Sequence, residues 1–241
     1  MPNELNALGQ PVGSRVDGWR PPPQPPLDPM AGRTCRVEPL NVEAHAAELH
    51  AANRLDADGR NWTYLAYGPF DTLDAYIAWM REVVAAADPQ FHAVVDLESG
   101  RAVGLASYLR IDPAAGSIEV GHINYSPLLQ RTIAGTEAMY LMMKRAFGLG
   151  YRRYEWKCNA LNAPSRAAAL RLGFSYEGVF RQARVEKGRN RDTAWYATID
   201  KEWPSLETAY RRWLDPSNFD QRGRQRVALS TLTTPIVVSR G

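Results

Sequence analysis

The sequence predicts an α/β fold. Three observations carry that expectation: strand-like and helix-like periodicities alternate through the middle of the chain, turn signals such as Glu98-Ser99-Gly100 separate them, and Gly173 stops one helical run. In order, Arg33 to Pro39 reads as a strand and Val42 to Arg54 as a helix. Thr72 to Ala87 is a second helix, with Leu73, Ile77, Met80 and Val84 spaced to share one face. Gln90 to Asp96 and Ala102 to Ile111 are strands, and Ser117 to Tyr125 is a third. Gly135 to Gly148 is a helix with Ala138, Leu141, Met142, Ala146 and Leu149 on one side. Arg153 to Asn159 is a strand, Ala163 to Leu172 a helix ended by Gly173, and Phe174 to Val185 with Thr193 to Ile199 a closing hairpin. Its connection, Glu186 to Arg191, is polar, and no internal repeat is present.

Composition divides the chain into three parts. Residues 1–31 hold eight of the 17 prolines, centred on Arg20-Pro21-Pro22-Pro23-Gln24-Pro25-Pro26. Proline fixes φ and removes a donor, so this segment is expected as an arm draped over the domain or a partner subunit. Residues 32–203 read as the globular body. Residues 204–241 form an extension: a helix from Ser205 to Leu214 with Leu206, Tyr210, Trp213 and Leu214 on one face, then an irregular stretch ending in an edge strand at Thr234 to Val238.

A chain of 241 residues that is 45% hydrophobic can bury a substantial core. The net charge of +3 suits a polyanionic cofactor and is too small to argue for DNA or RNA. Arg222-Gly223-Arg224-Gln225-Arg226 and the Arg184 to Arg191 run are short, and Glu186 and Asp192 offset the second. Two cysteines, Cys35 and Cys158, give neither a metal spacing nor a disulfide framework, which fits a reducing cytoplasm. No apolar run reaches the roughly eighteen residues of a membrane span, and no secretory signal is visible at the N-terminus.

The chemistry concentrates in Leu129 to Ala138 and in Asn162-Ala163-Pro164-Ser165. A strand-like run, Ser117 to Ile123, precedes a short polar turn and a helix start. The first N–H groups of a helix have no partner inside it, and its dipole adds positive charge there, so such an end seats phosphates.

Four segments in this order resemble the GNAT superfamily of acetyl-CoA-dependent N-acetyltransferases, in particular its RimJ/RimL-like branch: Gly32 to Leu40, Ile118 to Gly121, Gln130 to Ala138 and Asn162 to Gly178. The resemblance implies a mixed, mostly antiparallel central sheet flanked by helices and splayed after Tyr125, where acetyl-CoA enters between adjacent strands. The family's phosphate loop reads Gln/Arg-x-x-Gly-x-Gly/Ala. Gln130 and Gly135 match, and Ile133 stands at the middle glycine. Gln130, Arg131, Thr132, Ile133, Ala134, Gly135 and Thr136 are thereby expected to hold the pyrophosphate, and Asn162 the pantetheine or phosphate arm.

Transfer to an amine requires loss of the ammonium proton and a proton for the departing thiolate. Glu119, mid-strand and opposite in phase to Ile118 and Val120, is the first candidate base; the matching strand in RimJ/RimL-like enzymes often carries an acidic residue. His122 lies in the other phase unless a β-bulge, common in this strand of the family, brings it to the same side. The resemblance gives Ser165 the role of proton donor to the thiolate, while the tyrosine used by many other members is replaced by Ala169. Asn162 and Pro164 also read as a helix cap and first-turn proline. Trp62, Tyr64, Tyr67 and Phe70 read equally as core lid or acceptor wall, and Arg131 and Arg166 flank the helix starts. The expected partner is an amine, either a peptide N-terminus or a small molecule. The competing class is a non-catalytic acyl-CoA-binding or sensing module, and the long arms suggest a homodimer.

Overall fold

Alternating buried residues bring most of the strands into one eight-stranded sheet in the computed structural model, which describes residues 4–241. A separate two-stranded hairpin, β1 (Glu4–Leu5) and β2 (Pro11–Val12), precedes it. The body then runs β3 (Met30–Ala31), β4 (Cys35–Pro39), α1 (Val42–Asn53), α2 (Leu73–Val84), β5 (Gln90–Asp96), β6 (Ala102–Asp112), β7 (Ser117–Tyr125), α3 (Ile133–Gly148), β8 (Arg153–Asn159), α4 (Ala163–Arg171), β9 (Ser175–Glu186) and β10 (Arg189–Ile199). α5 (Trp203–Leu214) and the short α6 (Leu229–Thr233) close the chain. The sheet order is β3-β4-β5-β6-β7-β8-β10-β9.

Every neighbouring pair is antiparallel except β7 and β8, which run parallel from Ser117↔Arg153 to Val120↔Trp156. Parallel neighbours need a long crossover, and α3 supplies it. Pairing ends at Val120, well before Tyr125, so the sheet opens inside β7 rather than after it as the sequence suggested. The cause lies on the other edge of the strand. Against β6, β7 pairs Ser107↔Gly121 and then Leu105↔Asn124, so His122 and Ile123 together oppose Ala106 alone. An extra residue of this kind bends its strand and sharpens the twist. His122 accommodates it at φ 49°.

Two cores lie on opposite faces. Ile118, Val120, Tyr154 and Trp156 pack with Met139, Met142 and Met143 of α3 and with Leu206 and Tyr210 of α5. On the other face Leu49 of α1 and Tyr76 and Met80 of α2 cover Phe91, Ala93, Val95 and Leu105. The buried face of α2 is rotated from the expected one: Tyr76 is buried and Val84 exposed. Tyr76 stacks on Trp79 at 5.5 Å and lies 5.3 Å from Phe70, and this aromatic packing sets the phase. The closing hairpin is also tighter than expected. Arg189 to Arg191 belong to β10, leaving Lys187-Gly188 as the turn, at φ 48° and 72°. Two left-handed residues match the strand twist of a two-residue hairpin.

The proline-rich arm lies on its own domain. Pro22, Pro25 and Met30 are buried, and the carbonyls of an arm poor in N–H groups are served by side chains of the body. Tyr151 Oη donates to Pro23 O, Gln90 Nε2 to Pro25 O, and Arg145 to the carbonyls of Pro26, Asp28 and Pro29. The last two arm residues, Met30 and Ala31, pair with Val37 and Arg36 as the edge of the sheet. At the other end, Val238 N donates to Ser175 Oγ and Tyr176 N to Ser239 O, so the tail docks beside β9. It forms no strand there, contrary to expectation.

Arg145→Ala removes all three guanidinium contacts to the arm. The expected loss is about 1–2 kcal/mol in a denaturant titration, with faster proteolytic cleavage between residues 19 and 29.

Candidate active site

Two helices begin where the parallel strands part. α3 follows β7 and α4 follows β8, so both helix N-termini stand at the carboxyl ends of the diverging strands. In open α/β sheets this is where ligands bind, and both dipoles favour an anion there. Thr132 caps α3: its Oγ1 accepts from Gly135 N at 3.0 Å and donates to Leu129 O at 2.7 Å. The amides of Ile133 and Ala134 take no acceptor from the described chain. Asn162 caps α4 through Oδ1, 3.1 Å from Ser165 N, with Pro164 in the first turn as the sequence suggested.

The turn residues divide by role. Gln130 Nε2 donates to Asn61 Oδ1 at 2.9 Å and Tyr125 O at 2.8 Å, which braces the turn. Thr136 Oγ1 accepts from Arg171 Nη2 at 3.1 Å. Arg131 is exposed and takes the left-handed conformation at φ 60°, while Ile133 is already helical. The middle glycine of the family pattern is therefore not needed for the backbone path. Gly135 is needed, because a Cβ there would stand 2.7 Å from Leu129 O and 3.1 Å from the Tyr125 ring. Backbone amides and the Arg131 side chain are what this turn offers to a ligand. Arg166 is turned elsewhere, onto Tyr196 Oη at 3.1 Å and Ala160 O at 3.4 Å.

The bulge of β7 puts Glu119 and His122 on one face. In regular alternation His122 would join Ile118 and Val120 against α3; instead its ring stacks on Phe91 at 5.0 Å and lies 5.9 Å from Tyr67. Its Nδ1 is 2.8 Å from Ser107 Oγ. Burial pushes the imidazole down to about 4, helped by the charges of Arg110, Arg184 and Arg191 and opposed by Asp88. His122 is neutral at pH 7.

Glu119 is only 3% exposed. Its Oε2 lies 2.7 Å from Arg110 Nη1 and 2.8 Å from Lys157 Nζ; neither N–H aligns as a hydrogen bond, so the contacts are ionic. Lys157 Nζ also reaches Glu155 Oε2 at 2.6 Å and sits 3.9 Å above the Trp195 ring. Parallel pairing sets Glu119 beside Glu155, and the two cations offset a charge that would be costly to bury alone.

Ser165 is half-buried in the first turn of α4. Its Oγ accepts from Trp156 Nε1 at 3.0 Å, and its hydroxyl also neighbours the buried Cys158 thiol. Ala169 is fully buried in the core behind it.

The aromatic segment between α1 and α2 is both core and wall. Trp62 and Phe70 pack edge to face at 5.7 Å, while Tyr67 lies against His122. The same segment spans the opening. Asn61 Nδ2 donates to Tyr125 O at the end of β7, Tyr64 Oη to Leu161 O beyond β8, and Lys187 Nζ to Trp62 O and Gly68 O from the hairpin tip. Asn61, Ser107, Lys157 and Lys187 have no motif to mark them in the sequence; only the strand pairing and the hairpin bring them to the site.

The family profile described as an acetyltransferase (GNAT) domain matches residues 36–175. Among solved structures, the chain is similar to a GCN5-related N-acetyltransferase from Brucella melitensis, with 45% identity and a TM-score of 0.89 over 91% of this chain and 100% of that one. It is also similar to a probable acetyltransferase of the GNAT family from Chromobacterium violaceum ATCC 12472, with 42% identity and a TM-score of 0.76 over 81% and 98%. A RimL ribosomal L7/L12 alpha-N-protein acetyltransferase shares the fold at 19% identity, with a TM-score of 0.61 over 71% and 93%. No curated protein matches the chain.

Two measurements check the electrostatics of this region. Glu119→Gln leaves Arg110 without its partner and Lys157 with Glu155 alone, and the expected loss of stability is about 3 kcal/mol by denaturant titration. His122 and the buried His92 are both held down to about 4 by burial, against about 6.5 unfolded. Between those values the unfolded chain binds more protons, so this stability is complete above about pH 6.5 and is lost as the pH falls toward 4. The thermal midpoint should follow that curve, and a His92→Leu/His122→Leu double variant should flatten it.

Proposed function

Because the chain belongs to the GNAT superfamily of acetyltransferases, we propose that it moves an acetyl group from acetyl-CoA directly to an amine in a ternary complex, without a covalent enzyme intermediate. The observation that carries this reading is the opening between β7 and β8, with the N-termini of α3 and α4 at its rim. The free amides of Ile133 and Ala134, with Arg131 beside them, fit a pyrophosphate, and Asn162 stands at the second helix end for the pantetheine arm. Acetyl-CoA supplies the activated acetyl thioester; the chain supplies position and proton transfer.

Of the two groups on the bulged face, His122 is the one that no cation engages. Glu119 is held between two cations, so we assign it the electrostatic balance around Lys157 and Arg110. His122 then takes the proton released by the amine. Ser165 gives its proton to the departing sulfur and regains one from water, and the indole N–H donated to its oxygen holds the hydroxyl in place.

The acceptor is a peptide N-terminus or a small-molecule amine, in keeping with the RimJ/RimL-like branch. The segment from Asn61 to Gly68 crosses the opening and favours a slender amine over a residue on a folded surface. Buried free thiols at Cys35 and Cys158 suit a reducing cytoplasm. The β1–β2 hairpin exposes Leu5, Leu8 and Val12, which supports a homodimer.

A thiol-release assay with acetyl-CoA against peptides, polyamines and aminoglycosides tests the reading. His122→Gln should lower kcat about a hundredfold or more while calorimetric binding of coenzyme A is kept. Ser165→Ala should lower kcat with little change in KM. Absence of coenzyme A binding to the wild-type protein overturns the reading. Tight binding without turnover on any amine makes the chain an acyl-CoA sensor instead.

A further inference from the structure

Ser107 is fully buried in β6, directly opposite Gly121 of the bulged strand. Its hydroxyl has two neighbours: His122 Nδ1 at 2.8 Å and Gly121 O at 3.3 Å. A serine hydroxyl holds one proton and can accept others. If that proton goes to Nδ1, the carbonyl contact is left empty. If it goes to Gly121 O, the oxygen is free to accept from an Nδ1–H, and both contacts become hydrogen bonds in a chain that runs one way. The second arrangement uses Ser107 Oγ, His122 Nδ1 and Gly121 O together. It also fixes the far side of the ring, because a neutral imidazole with Nδ1 protonated carries a lone pair on Nε2. Nε2 makes no hydrogen bond within the described residues. Phe91 and Tyr67 hold the ring from its faces, so the direction of that lone pair is set as well.

We propose that Ser107 is a positioning residue that holds His122 as its Nδ1–H tautomer and so keeps the Nε2 lone pair available for the proton of the acceptor amine. This rests on the acetyl-transfer reading for its purpose, though not for its geometry. As the new C–N bond forms and the C–S bond breaks, the amine N–H proton passes to Nε2. The resulting imidazolium keeps Nδ1–H on Ser107 Oγ, and Ser107 keeps its own proton on Gly121 O. The imidazolium then loses the Nε2 proton to water, which returns the starting tautomer. Free histidine prefers the other tautomer, so without Ser107 the Nε2 nitrogen would more often carry a hydrogen and accept nothing.

Nitrogen-15 labelling of the four histidines, with His122 assigned by its absence in His122→Gln, reads the tautomer directly. The wild-type protein at pH 7 is expected to show Nδ1 protonated and Nε2 bare. An Nε2–H signal or an imidazolium overturns the proposal whatever the activity. Ser107→Ala should shift His122 toward Nε2–H and lower kcat about fivefold to tenfold with KM for acetyl-CoA unchanged. Ser107→Thr, which keeps the oxygen, should restore both. The charged groups facing the ring are Arg110 of β6, Asp88 before β5, Arg184 of β9 and Arg191 of β10; all stay in place, so a change in the pH–rate profile belongs to Ser107. A Ser107→Ala protein that retains Nδ1–H overturns the proposal. Failure to acetylate any amine would sink the acetyl-transfer reading alone, since the tautomer is measured without turnover.

Discussion

One extra residue in β7 governs the site. With His122 and Ile123 set against a single residue of β6, the strand turns out of the sheet and its pairing with β8 stops at Val120. The opening, the orientation of His122 and the exposure of both helix ends to one cleft follow from that change of course. A flat, regular strand with the same sequence would bury the histidine against α3 and close the gap. The bulge costs a left-handed residue that is not glycine, at φ 49°, a conformation worth of order 1–3 kcal/mol of strain that surrounding contacts must hold in place. The hydrogen bond to Ser107 and the stack on Phe91 are those contacts.

Charge is arranged around the opening in layers. The sheet face beneath it carries a compact array, Arg110, Glu119, Lys157 and Glu155, with Arg153 and Glu177 continuing it toward the edge. Each buried carboxylate there touches at least one cation, so no uncompensated charge is left in the interior. The rim is different: among the described residues the amides of Ile133 and Ala134 take no acceptor, and Arg131 is exposed beside them. The face is balanced within itself, whereas the rim carries the positive ends of two helix dipoles. That division separates support from recognition.

The terminal segments act on the fold as clamps. The arm crosses the α3–β5 edge with its prolines buried at every third position, Pro22 and Pro25, as expected of a polyproline-type stretch with three residues per turn. Such a segment has few donors and many bare carbonyls, and Arg145 alone answers three of them. At the opposite edge, α5 closes the core behind α3: Tyr210 stacks on Tyr140 at 5.3 Å and donates to Leu172 O.

Local patterns in the chain determined much of this architecture. The bounds of β5, β7 and β8 follow their apolar runs, the α4 cap is written in Asn162-Ala163-Pro164-Ser165, and the buried side of α5 is the apolar face read from its spacing. Period and capping are properties of neighbouring residues, and neighbouring residues are what a sequence displays. The α3 start was legible for the same reason, with Thr132 as its cap and Gly135 tightly packed in its first turn. What only the tertiary structure decided is register. The point where β7 leaves β8, the face on which His122 sits, the pairing of Glu119 with cations from β6 and β8, and the reach of Lys187 back to the segment near Trp62 all depend on which residues stand opposite one another. A shift of one residue between strands reverses every side chain, and no local pattern encodes that shift.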